Sequence, residues 1–130
     1  VLSTLHSINA AQALERLLAF FPADHAQEVL HRVSLTLEGI VSQRLVPRSD
    51  GQGRVVAVEV LVATPRIRDL IRRGDLAGIK TAIQAGSGEG MQTFDQALYA
   101  LYQKGLISLE DALRAADSPN DLRLRIRGLA

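Results

Sequence analysis

A chain of 130 residues with 47% hydrophobic and 22% charged residues fits one modest globular domain, or the end of one domain joined to a small second, and argues against disorder. Its net charge of +1 provides no field of one sign to recommend nucleic acid or a lipid surface as the main partner, and the absence of cysteine excludes a disulfide framework and thiolate metal sites. No apolar run approaches the roughly 20 residues that span a bilayer, no signal-peptide layout opens the chain, and a start at Val1 without methionine leads to the expectation of an expression or cleavage product of a longer polypeptide.

Val1 to Leu5 reads as the end of a buried strand whose tip presents His6. Asn9 can cap a helix over about residues 10–20, with Leu14, Leu17, Leu18 and Phe21 on one stripe, ended by Pro22. Asp24 and Gln27 have capping-box spacing. The helix they open, expected to be the longest, would bury Val29, Leu30, Val33, Leu37, Ile40 and Val41. The hydrophobic period then falls from about 3.6 to about 2. Residues 43–48 and 54–63 are β-rich runs on either side of Ser49-Asp50-Gly51-Gln52-Gly53, a hairpin signal. In the second run Val56, Val58, Val60 and Val62 share one face, and Val55, Ala57, Glu59 and Leu61 the other. Both faces are largely apolar, so the strand is expected to be covered on both sides. Glu59, alone among aliphatics, would need a partner if buried, with Arg44 and Arg54 as the candidates.

Thr64 is a good N-cap, Pro65 suits the first helical position, and Gly74 stands where a left-handed cap would end a helix over 65–73. Ile67, Leu70 and Ile71 fall at helical spacing beside Arg66, Arg68, Arg72 and Arg73, with Asp69 within reach of the last two. The apolar triplet must bury against something, and arginine is the cation best suited to an interface. This helix is therefore the candidate docking surface. A helix over 76–85 capped by Asp75 follows, then a break at residues 86–90. Three capped starts remain: Thr93 with Gln96, Ser108 with Asp111, and Ser118-Pro119 with Asp121. In the first of these helices Phe94, Leu98, Leu101 and Tyr102 face a core, and Gly105 stops it. Leu and Arg alternate over 122–127 at strand period, but the preceding cap favours helix.

A loop that cradles nucleotide phosphates needs Gly-x-x-x-x-Gly-Lys-Ser/Thr, and the sequence contains none. The glycines at 86–90 precede no lysine and follow no strand, so they read as a connector. A strand ending in adjacent acids for Mg²⁺ is also missing. His6, between a strand and a capped helix, could look into a crevice beyond a sheet edge, although spacing alone favours a structural histidine. His25 and His31 face different directions, so no metal site is expected. Tyr99 and Tyr102 read as packing residues.

Three stretches carry a resemblance. Ser3-Thr4-Leu5-His6-Ser7, followed by Ala10-Ala11 and by Glu15-Arg16-Leu17 through Phe21-Pro22, is similar to a histidine box and the helix after it. Ile67-Arg68-Asp69-Leu70-Ile71-Arg72 is similar to the Ala-Ile-Arg-Asn-Leu-Ile-Arg-Glu motif of retraction motors. Gly90 through Leu98, Gly105-Leu106-Ile107 and Asp117 through Leu124 are similar to the C-terminal helices of the same family. The chain thus resembles the C-terminal part of the type IV pilus retraction ATPases, the PilT/PilU-like twitching motility proteins of the type II/type IV secretion ATPase superfamily. Asn-Asp-Leu-Arg-Leu at 120–124, Gln43-Arg44-Leu45 and Phe94 lean toward the PilU-like accessory motors. The basic motif departs from the pattern at Pro65-Arg66, at Asp69 in place of Asn, and at Arg73 in place of Glu.

The resemblance implies a mostly α-helical α/β fragment. Residues 1–63 would be the end of a RecA-like ATPase core with a β-hairpin, and residues 64–130 a small helical C-terminal domain. The whole subunit would be a hexameric, ATP-hydrolysing motor that drives pilus retraction and twitching motility, cytoplasmic and peripheral to the bacterial inner membrane. It would use ATP and Mg²⁺; the fragment, without the phosphate loop, is expected to hold no cofactor or metal and to be inactive alone. Expected partners are the inner-membrane platform protein, a paralogous retraction motor and other copies of the subunit, with no nucleic acid. Carried over by likeness, His6 lies near the nucleotide, Thr4 positions it, and Arg16 sits on the adjoining helix. Arg66, Ile67, Arg68, Leu70, Ile71 and Arg72 would form the retraction motif that meets a partner. The alternative is a non-catalytic helical interaction domain docking through helix 65–73 on an acidic partner. Uncovered sheet surfaces lead to the further expectation of a non-native dimer for the isolated chain.

Overall fold

A computed structural model describes residues 1–128. In chain order it contains α1 (Ala10–Ala19), α2 (Ala26–Thr36), β1 (Gly39–Pro47), β2 (Arg54–Val62), α3 (Pro65–Arg73), α4 (Ile79–Ala85), α5 (Phe94–Gln103), α6 (Leu109–Ala115) and α7 (Pro119–Ile126). The fold is α/β and mostly helical, with a single two-stranded hairpin among the described residues.

Local chemistry explains most helix ends. Asn9 accepts from the Gln12 amide at 2.9 Å and opens α1. Thr93 and Gln96 form a reciprocal capping box at α5, with bonds of 3.1 and 2.9 Å. Ser108 accepts from the Asp111 amide at 3.1 Å and opens α6. Each cap satisfies an otherwise orphaned amide and stabilises its helix by about 1 kcal/mol. Asp75 caps a short 3-10 turn, Leu76–Gly78, and α4 starts only after it. The alternating residues before Arg127 are helical to Ile126, with Pro119 in the first turn, although Ser118 in the N-cap position makes no side-chain cap bond.

Three expectations are corrected. Val1 to Leu5 forms no strand and is exposed, because no neighbouring strand among the described residues offers it a ladder. Asp24 and Gln27 form no capping box; a 3-10 turn, Ala23–His25, leads into α2 instead, with His25 in the N-cap position. The second helix also stops at Thr36, although it is still the longest among the described residues. Leu37 turns extended, and Ile40 and Val41 belong to β1. Gly39 makes that change of direction possible, since a Cβ there would lie 2.9 Å from the Leu61 carbonyl oxygen.

The hairpin register is set at its ends, where Arg48 N donates to Gly53 O and Ala63 N to Glu38 O, both at 3.0 Å. Leu45 therefore stands opposite Val56, and Arg44 opposite Ala57 and diagonal to Glu59. Along β2, Ala57, Glu59 and Leu61 are buried while Val56 is exposed and Val58, Val60 and Val62 are half-buried. The expected cover is thus full on the face of Ala57, Glu59 and Leu61 and partial on the other, where Val62 packs against a core while Val56 stays exposed.

Two compact units divide the described chain, and neither is continuous in sequence. The first comprises residues 1–42 and 60–91. Its core is Ala10, Leu14, Leu30, Leu61, Ile67, Leu70, Ile71, Ile79, Ala82, Ile83 and Met91. The second comprises residues 43–59 and the chain from Gln92 onward, with Val46, Ala57, Phe94, Ala97, Leu98, Ile107, Ala112 and Leu122 at its centre. Full burial of each large aliphatic or Phe side chain contributes about 1.5–3 kcal/mol. The boundaries at residues 42/43 and 59/60 divide the hairpin between the two units.

Candidate functional site

Helix α3 has both designed ends. Thr64, nearly buried, accepts from the Ile67 amide at 3.3 Å, Pro65 occupies the first turn, and Gly74 closes the helix at φ 72°. That left-handed closing position strongly favours glycine. Ile67 and Ile71 are 0% exposed and Leu70 is 4%. All three lie in the core of their own unit, with α2 as the principal neighbour of α3. The apolar side of the candidate docking helix is therefore spent inside the fold, which corrects the reading that it waits for an external partner.

The arginines divide by what they touch. Arg68 is half-buried and reaches back to α2: its Nη1 donates to Ser34 O at 2.9 Å, and its Nη2 lies 3.6 Å from Glu38. Arg72 and Arg73 both pair with Asp69, Arg73 at 3.0 Å, so Asp69 stands under two cations on the exposed side. Arg66 is exposed at the first turn. A sequence pattern gave all four equal standing; the structure makes Arg68 an internal tether and leaves Arg66, Arg72 and Arg73 outward.

Thr4 and His6 are exposed on the segment before α1, and Arg16 is exposed on α1 itself. No side-chain hydrogen bond or ion pair joins these three among the described residues. Among the described residues no group of three His, Asp or Glu could hold a metal ion, and no helix is long and apolar enough to cross a membrane.

A polar cluster that sequence reasoning largely missed lies in the second unit. Arg44 on β1 donates to Ala115 O at 2.7 Å and to Asp117 Oδ1 at 2.6 Å, with its guanidinium carbon 3.9 Å from the centre of the Phe94 ring. Asp95, in the first turn of α5, accepts the amides of Asp117 and Ser118 at 2.8 and 3.0 Å. Glu59, 2% exposed, accepts from the Phe94 amide at 3.4 Å. Of its two candidate partners, Arg54 is exposed and Arg44 shares its face of the hairpin. Gln92 donates to Val58 O at 2.6 Å and so covers an outward carbonyl of β2. The isolated Glu59 was the only signal of this cluster in the sequence.

No family model matches the chain. It is 54% identical over 126 residues to the type IV pilus ATPase PilU of Pseudomonas aeruginosa, across 97% of this chain and 33% of PilU. Identity to the type IV pilus retraction ATPase PilT of the same organism is 41% over 121 residues, across 93% of this chain and 35% of PilT. The crystal structure of the pilus retraction motor PilT with bound ADP superposes with a TM-score of 0.80 at 39% identity, across 92% of this chain and 33% of that one. Fold and sequence thus agree with the pilus-motor proteins over nearly the whole chain. The chain belongs to the type IV pilus retraction ATPase family, and it spans about a third of the length of the curated relatives it matches.

Proposed function

We propose that this chain supplies the C-terminal, output part of a hexameric ATPase that retracts type IV pili and so drives twitching motility. The observation that carries the reading is the agreement of fold and sequence with PilT over nearly the whole chain, with the caps and buried triplet of α3 intact. Residues 1–63 would close the RecA-like core of the parent and residues 64–130 form its helical part. His6, positioned by Thr4, and Arg16 would border the nucleotide; ATP and Mg²⁺ would be held by parts of the subunit outside this chain. Outward arginines of α3 would meet the inner-membrane platform protein or a paralogous motor at the cytoplasmic face of the membrane. The rival reading, a non-catalytic helical domain docking through helix 65–73, would have to use the outward arginines, because the apolar side is buried within its own unit.

The test replaces the matching third of Pseudomonas aeruginosa PilU or PilT with this chain. The expected chimera is hexameric, hydrolyses ATP and restores twitching, while the isolated chain hydrolyses none. A folded chimera without hydrolysis or twitching, or micromolar nucleotide affinity of the isolated chain by calorimetry, would overturn the proposal.

A further inference from the structure

Helix α7 has eight residues, of which Leu122 is the buried one. An isolated helix is marginal in water below about 12–15 residues, so α7 owes its existence to what docks it. Leu122 enters the core of the second unit, and the Arg125 guanidinium lies over the Tyr99 ring at 4.9 Å. The link ahead of α7 is held by groups distant in sequence. The carboxylate of Asp117 is bound by Arg44, its amide by Asp95, and the next amide, that of Ser118, by the second Asp95 oxygen. Arg44 also holds the last carbonyl of α6, that of Ala115. These bonds fix the register at which Pro119 starts the helix and Leu122 reaches the core.

We propose that Arg44 and Asp95 form a latch on the link between α6 and α7, and that α7 docks and leaves as one cooperative segment when the latch is broken. The bonds are charge-assisted, and the Arg44 and Asp117 side chains are only 20% and 14% exposed, so salt screens them little and removal of either charge breaks the ion pair that holds the link. The rest of the second core, Val46, Ala57, Phe94, Leu98, Ile107 and Ala112, comes from other elements and remains assembled when α7 departs. This inference is independent of the ATPase reading.

Hydrogen exchange of the whole chain tests it, comparing the unaltered protein with Arg44→Met, Asp117→Asn and Asp95→Asn. Methionine keeps apolar length over Phe94 while removing the charge. The expected result is exchange of amides 122–127 at least about tenfold faster in every variant, with α5 and β2 amides unchanged. Equal acceleration of α5 and α7 would show that the cluster supports the unit as a whole and would overturn the latch, as would unchanged exchange in α7. Should Arg44→Met fail to fold, Asp95→Asn, which still offers one carbonyl oxygen, decides between the same outcomes.

Discussion

Arg68 Nη1 donates to the backbone oxygen of Ser34 across 2.9 Å, joining α3 to α2 through two residues 34 positions apart. This bond sorts the arginines of the basic helix by role. Arg68→Ala removes a charged donor from a partly buried carbonyl and is expected to cost about 1.5–3 kcal/mol. Arg66→Ala and Arg72→Ala remove exposed charges and are expected to stay within about 0.5 kcal/mol of the unaltered protein. Urea unfolding of the three variants measures the difference; equal losses would contradict the assignment of Arg68 as a tether.

Ile71 is completely buried beside Ile67 and Leu70. Ile71→Ala is expected to destabilise the first unit by about 2–5 kcal/mol, the range for a truncated core aliphatic with its residual cavity. A docking residue held free for a partner would lose almost nothing in the isolated chain. Denaturant midpoints therefore separate the two roles, and a loss under about 0.5 kcal/mol would return Ile71 to the surface.

Asp50 at the hairpin turn has its carboxyl held well below the ordinary 3.8, at about 2, chiefly by the Arg48 side chain and next by the Gln52 amide. Arg48 reaches it at 2.6 Å, and the Gln52 amide at 2.9 Å. A depressed folded pKa means that the contribution of Asp50 to the turn is complete above the ordinary value and is lost as pH falls through about 2. Carbon-detected NMR titration of the Asp50 carboxyl is expected to give that low midpoint, and Asp50→Asn to abolish the acid-dependent shifts of the Gln52 amide. A midpoint near 3.8 would contradict the turn geometry.

Leu45 and Val56 face each other across the hairpin with 54% and 42% of their surfaces exposed. Opposed apolar side chains on an open two-stranded sheet invite pairing between molecules. The isolated chain is expected to self-associate with rising concentration, and Leu45→Lys to suppress association without loss of helix content. Multi-angle light scattering reads the mass directly; a concentration-independent monomer would refute this expectation.

The parts of the fold written in neighbouring residues were legible in the sequence. Both ends of α3, the Thr93 capping box and the Ser108 cap depend on side chains within three or four positions of the amides they serve. The errors arose where structure depends on distant partners. An apolar Val1 to Leu5 looks like a strand, but a strand exists only beside another. Leu37, Ile40 and Val41 fit the stripe of a helix as well as the start of a strand, and only Leu61 close to Gly39 decides between them. The apolar triplet of α3 announces burial without naming the surface that buries it. Arg44 and Asp117 are 73 positions apart, so their pairing has no local signature. The roles expected of His6, Thr4 and Arg16 came from family likeness alone, because no neighbouring residue in the sequence defines their chemistry.

Strand β2 delivers Ala57 to one core and Leu61 to the other. The two hydrophobic centres are consequently interlaced in the gene, and no single scission of the polypeptide parts them with both left whole. A product starting at Thr64 would retain five helices yet forfeit Ala10, Leu14, Leu30 and Leu61 from the first centre and Val46 and Ala57 from the second. It is expected to remain unfolded, so deletion mapping of this chain would misread a collapsed scaffold as a missing function.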